Sequence, residues 1–163
     1  MPSRLKRFQQ ANDFHFLTFS CFRRLPLFSA PEMKNLFLDE LEITQIRYEL
    51  GVLAYVVMPE HVHLLLTEPE EAPLSSALQV LKQSVSRKAR KFGLYRARHA
   101  FWETRYFDFN VWTRAKQTEK LRYIHRNPVT RGLVEKPEDW SWSSFRHYLL
   151  GERGVVGIAS ERL

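Results

Sequence analysis

Two histidines one residue apart, His61 and His63, stand inside the run MPEHVHLLL (58–66), which is otherwise almost wholly apolar. In a β-strand, side chains alternate between faces, so His61, His63 and Leu65 take one side while Val62, Leu64 and Leu66 take the other. Two imidazoles so placed can converge on one cation. Farther along, Tyr123 and Asn127 are four residues apart in TRAKQTEKLRYIHRN (113–127), a spacing that puts a phenol and an amide oxygen on one face of a helix. Two imidazoles and an amide leave coordination positions open for a phosphate oxygen, and a tyrosine beside them is the natural nucleophile of a phosphoryl transfer. Spacing alone leaves a second reading open. A lone histidine in an apolar strand is ordinarily a hydrogen-bonded structural residue, and a helical tyrosine ordinarily packs with its hydroxyl satisfied. His125, about 200° round the helix from Tyr123, belongs to another face. Glu60 is expected to face away from His61 and to serve the turn, and His15, His99 and His147 have no partner that spacing reveals.

Positioning these groups requires a sheet and a helix laid over it. FHFLTFSCF (14–22) is aromatic and β-branched on both faces, which predicts a central strand. In SAPEMKNLFLDELEITQIRYEL (29–50), Ser29, Pro31 and Glu32 mark a helix start, and Leu36, Leu38, Leu41, Ile43 and Ile46 continue at roughly helical spacing. GVLAYVVM (51–58) and HVHLLLT (61–67) are strand-like runs joined by Pro59 and Glu60, a hairpin connection. LSSALQVLKQSVSRKARKF (74–92) carries Leu74, Leu78, Leu81 and Val85 at helical spacing and basic residues along its second half. AFWETRYFDFNVW (100–112) reads as a last strand, and the helix that follows is expected to stop at about Asn127, because the residue before a proline avoids the α region. The order predicts an α+β protein with a ferredoxin-like or RRM-like antiparallel sheet, βαββαβ, covered by helices and completed by a C-terminal catalytic helix. At 163 residues the chain reads as one domain over 1–163, with a short aromatic extension from about residue 128.

Lys and Arg number 25 against 18 Asp and Glu, a formal charge of +7 that favours a polyanionic partner, nucleic acid ahead of a membrane surface. Arg4, Lys6 and Arg7, the helical Arg87, Lys88, Arg90 and Lys91, and Arg96 and Arg98 after them are the expected nucleic-acid contacts, although a basic stripe is usually only a solvated helix face. Trp102, Trp140 and Trp142 read as core anchors. A single cysteine, Cys21, excludes an intrachain disulfide or a thiolate metal cluster. No run has the apolar length of a signal peptide or a bilayer span, so a cytoplasmic protein with no membrane partner is expected.

VVMPEHVHLLL taken with LRYIHRNPVTRGLVEKPEDWSWSSFRHY resembles the single-tyrosine transposases of the histidine-hydrophobic-histidine (HUH) superfamily, most closely the REP-associated tyrosine transposases. The resemblance runs from near Phe14 to about Tyr148, and its second block is the more specific. It implies that His61 and His63 are paired metal ligands, that Tyr123 is the nucleophile and that Asn127 completes the metal site. It further implies Mg²⁺ or Mn²⁺ as cofactor and single-stranded, often hairpin-forming DNA as substrate. Such DNA is cleaved to a 5′-phosphotyrosine and a free 3′-OH and then rejoined, by a monomer or a homodimer. Two other classes fit the residues less well: a non-catalytic RRM-like nucleic-acid module, and a metal-dependent phosphodiesterase that activates water.

Overall fold

The computed structural model describes residues 13–163. Its sheet has four antiparallel strands in the order β2-β3-β1-β4. They are β1 (Phe14–Ser20), β2 (Val52–Val57), β3 (His61–Leu66) and β4 (Phe107–Val111). Helices α1 (Pro31–Tyr48) and α2 (Leu74–Lys91) follow β1 and β3, which gives the ferredoxin-like βαββαβ order, and α3 (Arg114–Thr130) follows β4. Strand β1 is central, as its two apolar faces require.

One sheet face, formed by Leu17, Phe19, Val62, Leu64 and Leu66, packs on α1 and α2 in the larger core. Helix α2 contributes the expected Leu74, Leu78, Leu81 and Val85, with Ala77 and Ala89 beside them. Helix α1 departs from expectation. Its buried stripe is Met33, Leu36, Phe37, Leu41 and Thr44, with Leu38 also covered, whereas Ile43 and Ile46 are exposed. The helix pitch of 3.6 residues carries those two isoleucines round to solvent. Ser29 does not cap this helix; its hydroxyl donates to the Pro26 carbonyl at 2.9 Å.

The opposite face, with Phe14, Phe16, Leu53, Ala54, Val56, Leu65 and Val111, is covered by α3 through Ile124 and by the C-terminal segment. The last strand is shorter than its composition suggests. Residues 100–106 are irregular, joined to the sheet by a single bridge between Cys21 and Trp102, because Phe101 and Trp102 turn into the larger core. Helix α3 also outruns the predicted stop at Asn127. Pro128 lies inside it, and the end is set instead by Gly132 at φ +73°. There Gly132 N–H donates to the Val129 carbonyl and Leu133 N–H to the Pro128 carbonyl, both at 2.9 Å. This is the paired arrangement that closes a helix with a left-handed residue, which glycine adopts without strain.

The chain after α3 runs along β2, the edge strand. Ser143 bridges Val56, Val57 N–H donates to the Trp142 carbonyl, and Ala159 N–H donates to the Val52 carbonyl. A short helix, α4 (Phe145–Leu150), places Tyr148, whose hydroxyl donates to the Leu53 carbonyl at 2.5 Å. The tail thus occupies an edge that would otherwise present unpaired backbone groups. No described helix is long and apolar enough to cross a membrane.

Candidate active site

Strand alternation sends His61, His63 and Leu65 to the α3 face and Val62, Leu64 and Leu66 into the larger core. The two imidazoles are buried, and their Nε2 atoms lie 3.0 Å apart. Each ring is held from behind. His61 Nδ1 is 3.0 Å from Glu60 Oε1, and His63 Nδ1 is 2.8 Å from Oγ1 of Thr18, its cross-strand neighbour in the β1–β3 register. With Nδ1 of His61 donating to a carboxylate, its Nε2 carries the lone pair. The Thr18 hydroxyl can either donate to His63 or accept from it, so it supports both tautomers of that ring. Burial pushes the His61 imidazole below its ordinary value, and burial together with the nearby His61 and Arg24 takes His63 down to about 3. Both rings are therefore neutral at pH 7, the form that binds metals.

Glu60 corrects the sequence expectation. It precedes β3 in a bend, where strand alternation does not apply, and its backbone carbonyl accepts from Cys21 N–H at 2.9 Å. The side chain turns toward His61 and also meets Arg131 Nη2 at 2.8 Å and Arg24 Nη2 at 3.4 Å. Burial alone would raise this carboxyl, but the His61 ring and the Arg131 guanidinium outweigh it and hold it below the usual range.

Helix α3 lays Tyr123 over the pair. Its ring is 5.3 Å from the His63 ring and 5.9 Å from Phe16, and Phe16 itself stacks on His63 at 5.3 Å and 21°. Tyr123 is 51% exposed, so the phenol borders solvent instead of the core. One turn on, Asn127 is buried, and its Oδ1 is an orphaned buried oxygen with no hydrogen-bond partner among the described residues.

These groups border one cleft of about 1380 Å³, which Arg24, Lys120, Arg122, Arg126 and Arg131 also line, with Glu119 as the acidic residue among its described lining. Arg24 reaches it from a turn in which Arg23 and Arg24 both have left-handed φ, +51° and +54°. That conformation is uncommon for non-glycine residues, and the Glu103 carboxylate steadies it by accepting from Arg23 N–H. Sequence reasoning passed over these cleft cations. Lys120 could have been found three residues before Tyr123 and Arg131 four after Asn127, on the same helical stripe.

The basic residues singled out from the sequence lie elsewhere. Arg4, Lys6 and Arg7 fall outside the described residues. Arg87, Lys88, Arg90 and Lys91 belong to α2, on the other side of the sheet, and neither they nor Arg96 and Arg98 line the cleft. Lys88 pairs with Glu40 of α1, and Arg90 donates to the carbonyls of Ala97 at 2.6 Å and His99 at 2.9 Å. His125 is a structural anchor. Burial lowers it to about 4, and its Nε2 sits 2.7 Å from Ser144 Oγ, which also accepts from Tyr55 N–H at 3.0 Å. The remaining histidines have partners too: His15 with Asp108 and Glu68, His99 with Tyr95, His147 with Ser160.

The donor set fits a divalent ion. Two neutral nitrogens 3.0 Å apart match adjacent ligands on one ion with bonds of ~2.1 Å, and the amide oxygen of Asn127 has no other partner among the described residues. Among the described residues no three His, Cys, Asp or Glu side chains gather in a metal-binding group, so the third protein donor here would be the amide.

Residues 10–127 match the family described as "Transposase IS200 like". The chain belongs to the IS200-like transposase family. It is 28% identical over 126 residues to a protein of Haemophilus influenzae named as a REP-associated tyrosine transposase, covering 72% of each. It is 30% identical over 93 residues to the REP-associated tyrosine transposase of Escherichia coli K12, which covers 56% of this chain and 52% of that one. Among solved structures it is similar to a REP-associated tyrosine transposase bound to a REP hairpin, with a TM-score of 0.73 and 23% identity over 96% of this chain and 92% of that one. A transposase-like protein of Deinococcus radiodurans R1 aligns with a TM-score of 0.54 and 22% identity over 68% and 87%. In this IS200-like chain, the second motif block is largely scaffold. His125, Trp140 and Ser144 bind α3 and the tail to β2, with Trp140 Nε1 donating to the Val57 carbonyl at 3.1 Å. Tyr123 and Asn127 are the two residues of that block that face the imidazole pair.

Proposed function

We propose that this chain cleaves and rejoins single-stranded, hairpin-forming DNA through a covalent tyrosine intermediate. The observation that carries this reading is the convergence of His61 and His63 Nε2, 3.0 Å apart, beneath the half-exposed Tyr123 ring in a cationic cleft. Tyr123 Oη attacks the scissile phosphorus: the P–Oη bond forms, the P–O3′ bond breaks, the phenolic proton passes to solvent and the departing oxygen takes up a proton as a free 3′-OH. Attack by a 3′-OH on the phosphotyrosine reverses the exchange and rejoins the strand without an external energy source. Lys120, Arg122, Arg126, Arg24 and Arg131 hold the strand by its phosphates. His61, His63 and Asn127 hold Mg²⁺ or Mn²⁺, which when bound supplies Lewis-acid stabilisation of charge on the phosphate oxygens. Thr18 and Glu60 keep the two rings aimed, and Phe16 fixes the plane of His63. The hairpin preference draws support from the REP hairpin bound by the relative of the same fold.

The test is to incubate the protein with hairpin-bearing single-stranded DNA and Mg²⁺ or Mn²⁺, denature, and look for a protein–DNA band. Wild type gives the adduct, and Tyr123→Phe gives none while binding the strand nearly as well. Cut strands without an adduct would establish a phosphodiesterase, and binding without cutting would establish a recognition module.

A further inference from the structure

β4 carries two aromatic rings that the fold does not bury. Phe107 is 55% exposed and Phe109 37%, although both lie on the α3 face of the sheet, where Val111 at the end of the same strand is fully covered. The strand's opposite face is fixed by Asp108, whose carboxylate binds the buried His15, so the two rings cannot exchange sides with it. The rings are nearly parallel, with centroids 6.3 Å apart and planes 6° apart. Phe107 also meets Phe16 at 6.5 Å and borders the cleft with Tyr123, making the row continuous with the proposed reaction site. The Lys120 ammonium stands 5.2 Å over Phe109 and 4.8 Å over Phe16, supplying a cation beside the exposed faces.

An exposed aromatic row flanked by a cation and continuous with a basic cleft has the chemistry that receives unpaired nucleotides. Every base has a π-face, and a nearby ammonium can pair with the connecting phosphate. We propose that Phe107 and Phe109 form a stacking platform for the unpaired bases that flank the scissile phosphate, with Lys120 holding the backbone between platform and cleft. This rests on the DNA-cleavage reading above and adds how the single strand is told from a duplex, whose stacked bases offer no faces.

The test compares two labelled oligonucleotides by fluorescence anisotropy: a hairpin with an unpaired flank, and the same hairpin with abasic sites throughout the flank. Stacking of this kind is worth about 1 to 3 kcal/mol per base, so wild type should prefer the base-bearing flank by about 5- to 150-fold for each base that stacks. The double variant Phe107→Ala/Phe109→Ala should bind both oligonucleotides at the wild-type abasic affinity. Phe107→Leu/Phe109→Leu, which keeps apolar bulk but removes the π-faces, should do the same, and Phe107→Tyr/Phe109→Tyr should restore the preference. Retention of the preference by the Leu variant, or an equal loss on both oligonucleotides, overturns the platform. Conversion of a dimer to monomers by the Ala variant with the preference intact would assign the patch to a second copy of the chain and overturn it equally. A wild type that forms the covalent adduct but shows no base preference defeats the platform alone; one that neither binds nor reacts with the strand defeats the cleavage reading as well.

Discussion

Glu60 offers one oxygen to both His61 Nδ1 and the Arg131 guanidinium, tying the orientation of an imidazole to the end of the helix that carries Tyr123. Partners behind a metal-binding histidine set its tautomer and typically change metal affinity 10- to 100-fold when removed. Glu60→Gln should therefore weaken Mn²⁺ binding by about that factor in a calorimetric titration, while Tyr123→Phe leaves it unchanged; equal affinities for wild type and Glu60→Gln would show that the carboxylate has no orienting role. His15 provides a second prediction. Burial alone would lower it, but the Asp108 and Glu68 carboxylates, each 2.8 Å from a ring nitrogen, raise it above its ordinary value near 6.5. A group whose folded pKa is raised stabilises fully below its unfolded pKa, and that contribution fades as pH rises through the folded value. The buried, depressed His63 and His125 act in the opposite sense, so the comparison must be a difference. The stability gap between wild type and His15→Gln, measured by urea unfolding, should be widest near pH 5.5 and narrow toward pH 9. A gap independent of pH would mean that folding leaves the His15 pKa unshifted.

At the scale of elements, the placement of α3 decides whether a phenol and two imidazoles meet. Three devices hold it. Thr113 caps its start, its Oγ1 accepting from Lys116 N–H at 3.2 Å; His125 binds Ser144 on the tail; and the Gly132 turn ends it one turn beyond Asn127. Ser144→Ala removes the partner of both His125 Nε2 and Tyr55 N–H, buried groups whose loss of a bond costs about 1 to 3 kcal/mol. The expected result is a lower unfolding midpoint together with slower adduct formation, since the same bond positions the nucleophile's helix. Gly132→Ala meets no atom within 4 Å, so its cost should be purely conformational, about 1 kcal/mol for a left-handed alanine, read from denaturant midpoints. A larger loss would point to a contact at the helix end beyond the backbone turn.

Across the whole molecule, the net charge of +7 is distributed unevenly in function, because the cations of the cleft face the imidazole pair while those of α2 lie behind the sheet, partly engaged with Glu40 and backbone carbonyls. For single-stranded DNA the logarithm of affinity falls with that of salt by about 0.7 per phosphate neutralised. Lys120→Ala and Arg126→Ala should each flatten that slope by about 0.7, whereas Lys88→Ala should leave it unchanged; a flattened slope for Lys88→Ala would place the strand across α2 instead. Periodicity along the chain was enough to read the central strand, the hairpin, the two core helices, the shared face of His61 and His63 and the helical pairing of Tyr123 with Asn127. These depend on the local repeat of a strand or a helix, which side-chain patterning writes directly. The turn of Glu60 toward His61, the arrival of Arg24 and Arg131 in the cleft, the shortened β4, the passage of α3 through Pro128 and the docking of the tail on β2 were decided only by tertiary structure. Each depends on contacts between residues distant in sequence, or on a bend where no repeat operates, and there packing and hydrogen bonding override the local pattern.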